Sequence, residues 1–389
     1  MIHRFITSKV LELKDKYPVI AITGPRQSGK TSLAQALFPD HKYYNLENLD
    51  LFAVAKQDPI GFLQVGTGTK MIIDEVQKLP ELLSYIQTEV DAQKIDGQFV
   101  ITGSQNFAIA EHIAQSLAGR VANFTLLPLE YREIEQSSFG SYTTHLQTTI
   151  LQGFYPRPLV KSIAPTDFYQ DYVSTYVERD VRQIKNIGDV LLFQKFLQLL
   201  AGRVGQIINY TSLANDVGVN FKTIQSWVSV LETSYIAFSL QPYFENFGKR
   251  VIKSPKIYFY DVGLLCYLLR INSVAELASH YAYGQIFENF VITEVIKKQC
   301  NKRKNEKNYF WRDNNGIEVD MIIDEGEVKH AIEIKSAQTY SSDMLKGLSQ
   351  WQSLGAKGEV DTYLVYDGNH ELTIDTHTIK NWRSFLSEA

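Results

Sequence analysis

Residues 24–31 read Gly24-Pro25-Arg26-Gln27-Ser28-Gly29-Lys30-Thr31, with Ser32 following. The string has the form G-x-x-x-x-G-K-[ST], a loop whose backbone N–H groups wrap a phosphate. Outward on one side, Tyr17-Pro-Val-Ile-Ala-Ile-Thr23 is a short apolar run rich in β-branched residues, as a buried parallel strand should be. On the other side, residues 31–38 carry their apolar positions at helical spacing. Gly24 and Gly29 let the loop curl, and the helix N-terminus adds the positive end of its dipole. Lys30 is expected to reach the β- and γ-phosphates, and the Thr31 hydroxyl to ligate Mg²⁺. ATP with Mg²⁺ is therefore the expected ligand of residues 24–32.

A second element lies at a suitable distance. Lys70-Met-Ile-Ile-Asp-Glu75 is an apolar strand ending in two acids, the form of a Walker B segment. Asp74 is expected to hold the Mg²⁺ through water, and Glu75 to orient the attacking water. A third apolar strand, Gln98-Phe-Val-Ile-Thr-Gly-Ser104, ends in small polar residues. Ser104, Gln105 or Asn106 would sense the γ-phosphate there. Arg120, in Ser116-Leu-Ala-Gly-Arg120, is a candidate sensing or trans-acting arginine, and equally a surface arginine.

Together, GPRQSGKT, IIDEVQKLPEL, ITGSQNF, SLAGR and LPLEYREI occur here in an order that resembles the prokaryotic AAA+-superfamily ATPases carrying a C-terminal domain of uncharacterised function. The likeness continues through Tyr176-Val-Glu-Arg-Asp-Val-Arg182, Lys253-Ser-Pro-Lys-Ile-Tyr-Phe-Tyr-Asp-Val-Gly-Leu264 and Gly284-Gln-Ile-Phe-Glu-Asn-Phe290, so it spans nearly the whole chain. Gly153-Phe-Tyr-Pro-Arg157 is similar to that family's glycine-rich turn but keeps a single glycine.

With 389 residues the chain has room for two or three domains. A net charge of −4 argues against wholesale electrostatic coating of DNA, although not against a local basic patch. The two cysteines, Cys266 and Cys300, lack metal-ligand spacing, so neither a disulfide framework nor a zinc site is expected. The N-terminus lacks the layout of a secretory signal, and no apolar run reaches membrane-spanning length. The cytoplasm is the expected compartment, with no membrane partner.

Residues 209–232 have the grammar of helix-turn-helix: Thr211 as a cap, Gly218 at the turn, Asn220 capping a second helix. Ile224, Trp227, Val228 and Leu231 would form that helix's buried stripe. The runs 235–243 and 255–260 read as a wing, joined by a basic turn. A groove-binding reading places Lys222, Thr223, Gln225 and Ser226 on DNA bases and Lys249, Arg250 and Lys253 on phosphates. The other reading is a winged-helix packing module between domains.

In the tail, an apolar helix carries Glu288, a strand carries Asp320, and the next strand carries Glu333 and Lys335 on one face. A helix and another strand follow. This resembles the restriction-endonuclease-like core with its Asp…Glu-x-Lys site. The resemblance implies that Asp320 and Glu333 hold Mg²⁺ or Mn²⁺, that Lys335 helps stabilise the attacking hydroxide or the pentavalent charge, and that Glu288 could complete the metal shell.

The expected fold class is α/β, in three modules: a P-loop AAA+-type ATPase over 1–160, a helical linker with winged helix over 161–270, and a nuclease-like domain over 271–389. The expected function is ATP hydrolysis coupled to nucleic-acid processing. The alternative is a regulatory ATPase switch with a silent tail, acting on a protein or nucleic-acid partner. Either reading leaves room for a homo-oligomer.

Overall fold

The structure is a computed structural model, and it describes residues 2–64, 69–104, 116–177, 190–243, 254–304, 306–354 and 359–388. The candidates Gln105, Asn106, Lys249, Arg250 and Lys253, and part of the 176–182 segment, lie outside the described residues.

Five short strands, β1 (Val19–Thr23), β2 (Lys42–Asn45), β3 (Met71–Asp74), β4 (Phe99–Gly103) and β5 (Val121–Thr125), form a sheet in the order β2-β3-β4-β1-β5. Every pairing is parallel. Alternation sends Val19, Ala21, Ile73, Phe99 and Ile101 to one face, where they meet Leu82, Leu83, Ile86 and Val90 of helix Leu82–Gln93. Ile20, Ile22, Ile72, Val100, Ala122 and Phe124 go to the other, against helices Ile6–Leu13 and Lys30–Leu37. Each of the valine, leucine, isoleucine and phenylalanine side chains contributes about 1.5–3 kcal/mol when fully buried. Because β4 lies between β1 and β3, the C-terminal ends of all three are neighbours, which is where ligands bind in open parallel sheets.

The middle module follows the expected order with one correction. Helix Tyr210–Val217 is capped by Asn209, whose Oδ1 accepts from Ser212 N at 3.0 Å; Thr211 instead sits inside the first turn. Gly218, at φ 93°, ends that helix in the left-handed region. Asn220 Oδ1 accepts from Thr223 N at 2.8 Å and caps helix Phe221–Thr233. Its stripe of Ile224, Trp227, Val228 and Leu231 is buried, while Lys222 and Gln225 face solvent.

The expected wing strands, β6 (Ala237–Pro242) and β7 (Lys256–Phe259), do pair as a hairpin, but they are not free. The end of β6 pairs in parallel with β8 (Lys307–Arg312) through Gln241–Tyr309 and Pro242–Phe310. The hairpin is therefore one margin of an eight-stranded sheet that runs on through β9 (Glu318–Asp324), β10 (Val328–Lys335), β11 (Glu359–Tyr366), β13 (His377–Asn381) and β12 (Leu372–Ile374). From β8 to β10 the sheet is antiparallel, and β11 then pairs in parallel with β10 after the crossover helix Lys346–Ser353.

Helix Tyr283–Lys302 runs through the centre of the molecule, and its buried polar side chains join the modules. Asn289 accepts from Phe259 N and donates to Phe259 O, both at 2.8 Å. Glu294 accepts from Tyr131 N at 2.6 Å. Lys297 donates to Leu129 O at 3.0 Å, and Asn301 to Glu130 Oε2 at 2.9 Å.

Two neighbouring features yield predictions. Buried Asp261 accepts from Phe154 N at 2.7 Å and Tyr169 Oη at 2.6 Å, and caps helix Val262–Leu268 through Leu264 N at 2.8 Å. The glycine kept at 153 is required there: at φ 68°, a Cβ would lie 1.9 Å from Tyr169 Oη. Asp261→Ala would strand buried N–H donors, and is expected to cost about 3–5 kcal/mol, read as a lowered denaturation midpoint.

Burial, reinforced by Glu294, raises the Glu130 carboxyl from its ordinary 4.5 to about 7. The folded chain thus keeps a proton that the unfolded chain has lost between those values. Stability should fall as pH rises through that window, by roughly 3 kcal/mol at most from this group. Melts of Glu130→Gln against pH are expected to lose that part of the slope.

Candidate functional site

The loop after β1 has the geometry its glycines permit. Gly24 has φ 147°, and a Cβ there would sit 2.2 Å from the Leu126 carbonyl oxygen. Gly29, at φ 96°, delivers the chain into the N-terminus of helix Lys30–Leu37. Lys30 is buried and donates to Gly24 O at 3.0 Å and Pro25 O at 2.8 Å, which holds its ammonium over the loop. Thr31 Oγ1 donates to Asp74 Oδ2 at 2.8 Å. That pairing joins the loop to the end of β3, so a cation held by the threonine would face the carboxylate.

Asp74 is buried, with Tyr43 Oη donating to Oδ2 at 2.7 Å and Thr102 donating to Oδ1. Burial, and then the carboxylate, push the Tyr43 hydroxyl well above its ordinary range, so it stays a donor. Glu75 adopts left-handed backbone, φ 57° and ψ 45°. Its Oε2 accepts from Gln77 Nε2 and from Ser104 Oγ at 3.3 Å, and Gln77 also donates to Ser104 at 3.1 Å. Ser104 therefore reaches Glu75.

A pocket of about 470 Å³ opens over the loop, a size suited to a small-molecule ligand. Arg26, Gln27, Ser28, Gly29, Lys30, Thr31 and Ser32 form its floor, and Glu75 is its one acidic lining residue among those described. Arg4, Arg157 and Lys161 also line it. Arg4 pairs with Glu133 at 3.0 Å and donates to Ser28 O at 2.8 Å and Leu127 O at 2.7 Å, so it braces the loop. Arg157 and Lys161 belong to the exposed side of helix Pro156–Lys161.

Arg120 is placed elsewhere. It precedes β5, at the end of the strands opposite the phosphate loop, and its guanidinium grips Asp91 at 2.6 and 2.8 Å. It does not line the loop pocket of its own chain.

The tail residues do gather. The register of β10 on β9 carries Glu333 level with Asp320. Lys335 Nζ lies 3.5 Å from Asp320 Oδ2 and also donates to Glu333, while Ile334 N donates to Asp320 at 2.8 Å. Glu288 joins from the central helix, and with Glu318 and Asp320 forms a group whose oxygens lie within 4.8 Å of one another. Burial raises the Glu288 carboxyl to about 7 and Glu333 well above its ordinary range. Asp320 is lowered, since Lys335 and Lys256 overcome its burial.

Sequence reading missed Arg4, Tyr43, Gln77, Thr102, Arg157, Lys256 and Glu318. Glu318 had a signal: it stands two residues before Asp320, on the same strand face. Gln77 also had one, two residues after Glu75.

Residues 16–135 match the family described as an AAA domain. Residues 143–275 and 283–385 match two families described as domains of unknown function, DUF8612 and DUF4143. The chain is 28% identical over 328 residues to the uncharacterized protein Rv2008c of Mycobacterium tuberculosis, covering 83% of this chain and 71% of the relative. It is 23% identical over 368 residues to the uncharacterized protein MJ1544 of Methanocaldococcus jannaschii, covering 86% and 77%. Among solved structures, it is similar to the Walker-type ATPase paby2304 of Pyrococcus abyssi, with TM-score 0.42, 13% identity, and coverage of 69% and 96%. The AAA match over residues 16–135 and the loop geometry together support an ATP-binding P-loop ATPase module at the N-terminal side. Among the described residues, no helix is long and apolar enough to cross a membrane.

Proposed function

We propose that the chain is a Mg²⁺-dependent ATP hydrolase that acts as a switch, passing its nucleotide state to the middle and C-terminal modules. The observation that carries this reading is the convergence of Lys30, Thr31, Asp74 and Glu75 at the C-terminal ends of β1 and β3, the two strands that flank β4. Loop N–H groups and Lys30 would bind the β- and γ-phosphates. Glu75, steadied by Gln77 and Ser104, would orient water in line with the γ-phosphate and take up its proton. Thr31 and Asp74 fit a Mg²⁺, which when bound would offset charge on the phosphate oxygens.

Among the described residues, Arg157 and Lys161 line the pocket beside Arg26 and Lys30 and are exposed, so they could meet phosphate charge there. Arg157→Ala is expected to lower turnover roughly ten- to a hundred-fold while the fold persists, as measured by phosphate release. An arginine supplied by a second copy would instead make turnover depend on protein concentration.

Transmission has a physical path. Arg4 clamps the loop to Leu127 and Glu133, and residues 129–131 are bonded to the helix that carries Glu288. A second reading, nucleic-acid processing by a nuclease-like tail, is favoured by the approach of Asp320, Glu333 and Lys335. ATP turnover with and without single-stranded and duplex DNA and RNA separates the two. Stimulation by nucleic acid, with cutting lost in Asp320→Ala, would favour the second. No ATP turnover under any condition would overturn both.

A further inference from the structure

The carboxylate cluster of the tail already contains a cation. Lys256, on β7 of the middle module, is 2% exposed, and its ammonium enters the cluster from the hairpin side. It bonds Glu288 Oε1 at 3.1 Å and Glu318 Oε1, and lies 3.8 Å from Asp320 Oδ1. These are the same three side chains whose oxygens lie close enough to share one metal ion.

Tyr258, two residues along the same strand, donates its hydroxyl to the same Glu288 oxygen. Glu318's other oxygen is engaged by Arg312 at 3.2 Å, and Asp320's other oxygen by Ile334 N and Lys335. Thus each of these three carboxylates is bonded to a cation or donor of the chain, while the buried Oε2 of Glu333, at the margin of the cluster, has no hydrogen-bond partner among the described residues.

The backbone of Lys256 is fixed as well. It pairs with Leu240 of β6 on one side and bridges Ile207 on the other, and the ammonium lies 5.5 Å from the Phe310 ring centroid. A divalent ion placed among the same oxygens would stand against the buried Lys256 ammonium.

We propose that Lys256 stands in for the divalent cation, so that the C-terminal module folds around an internal ammonium and its carboxylate cluster excludes Mg²⁺ and Mn²⁺. The donor set suits a metal only once Lys256 is removed. This inference is independent of the ATPase reading, because it uses none of the residues around the phosphate loop.

The test is Mn²⁺ binding to the nucleotide-free full chain, followed by electron paramagnetic resonance. Asp320→Asn serves as the control for binding elsewhere. The wild type is expected to show no Mn²⁺ binding that Asp320→Asn removes. Lys256→Met and Lys256→Ala are expected to gain one site, tighter than any wild-type binding there by roughly ten-fold or more, and lost again when Asp320→Asn is added. Lys256→Arg should continue to exclude the ion. Asp320-dependent Mn²⁺ binding by the wild type would overturn the proposal. So would folded Lys256 variants that gain no site. Were both neutral variants to fail to fold, the wild-type comparison with Asp320→Asn would still decide the matter.

Discussion

Lys30→Ala is expected to reduce ATP turnover by at least about 10²–10³-fold, with ATP affinity falling as well. The reason is geometric. The Lys30 ammonium is buried, held over the loop by the carbonyls of Gly24 and Pro25, and faces the pocket floor. A charge so placed needs little reorganisation when phosphate charge develops, so its loss would be felt in both ground and transition states. The fold should survive, since the hydrophobic clusters on both faces of the sheet do not depend on the ammonium. Phosphate release and nucleotide titration, with a melt as control, check this. Wild-type turnover in a folded Lys30→Ala variant would remove the basis for the loop's role.

Glu75→Gln is expected to have a comparably large effect on turnover, about 10²–10³-fold, with nucleotide binding retained. Glu75 lies at the pocket margin, while the loop, Lys30 and Thr31 make the floor. The amide would keep the shape and a carbonyl to accept from Ser104, but it would not take a proton from water. The variant should therefore accumulate bound ATP. Retained ATP after rapid filtration, together with the rate of a single turnover, distinguishes this from a binding defect. A variant that binds poorly but hydrolyses normally once saturated would assign Glu75 to binding instead.

The parts of the fold legible in the sequence are those whose signal is contiguous. Strand, loop and helix around Gly24–Thr31 occupy one short stretch, and their apolar spacing and glycines agree with their final conformations. Asp74 and Glu75 were legible for the same reason. The Asn209 cap was harder, because Asn209 and Thr211 are both competent caps and only the burial of Leu213, Ala214 and Val217 settles the helix start.

Arg120 was readable as a sensing or trans-acting arginine, or as a surface one. A residue that precedes a parallel strand lies at the end of the sheet opposite the phosphate loop, which follows one, and this bears only on a role at the site of its own chain. Lys256 had no local signal at all. In sequence it opens an apolar strand beside a basic turn, where a solvated charge is the ordinary reading. It is buried against Glu288, from the central helix packed on β7, and against Glu318 and Asp320, which the joining of β6 to β8 brings near.

The most direct test of the central claim is phosphate release from γ-labelled ATP by the purified full chain with Mg²⁺, run beside Glu75→Gln. The account predicts steady turnover in the wild type, and bound but uncleaved ATP in the variant. Equal turnover in the two proteins, or none in the wild type despite tight ATP binding, would contradict it.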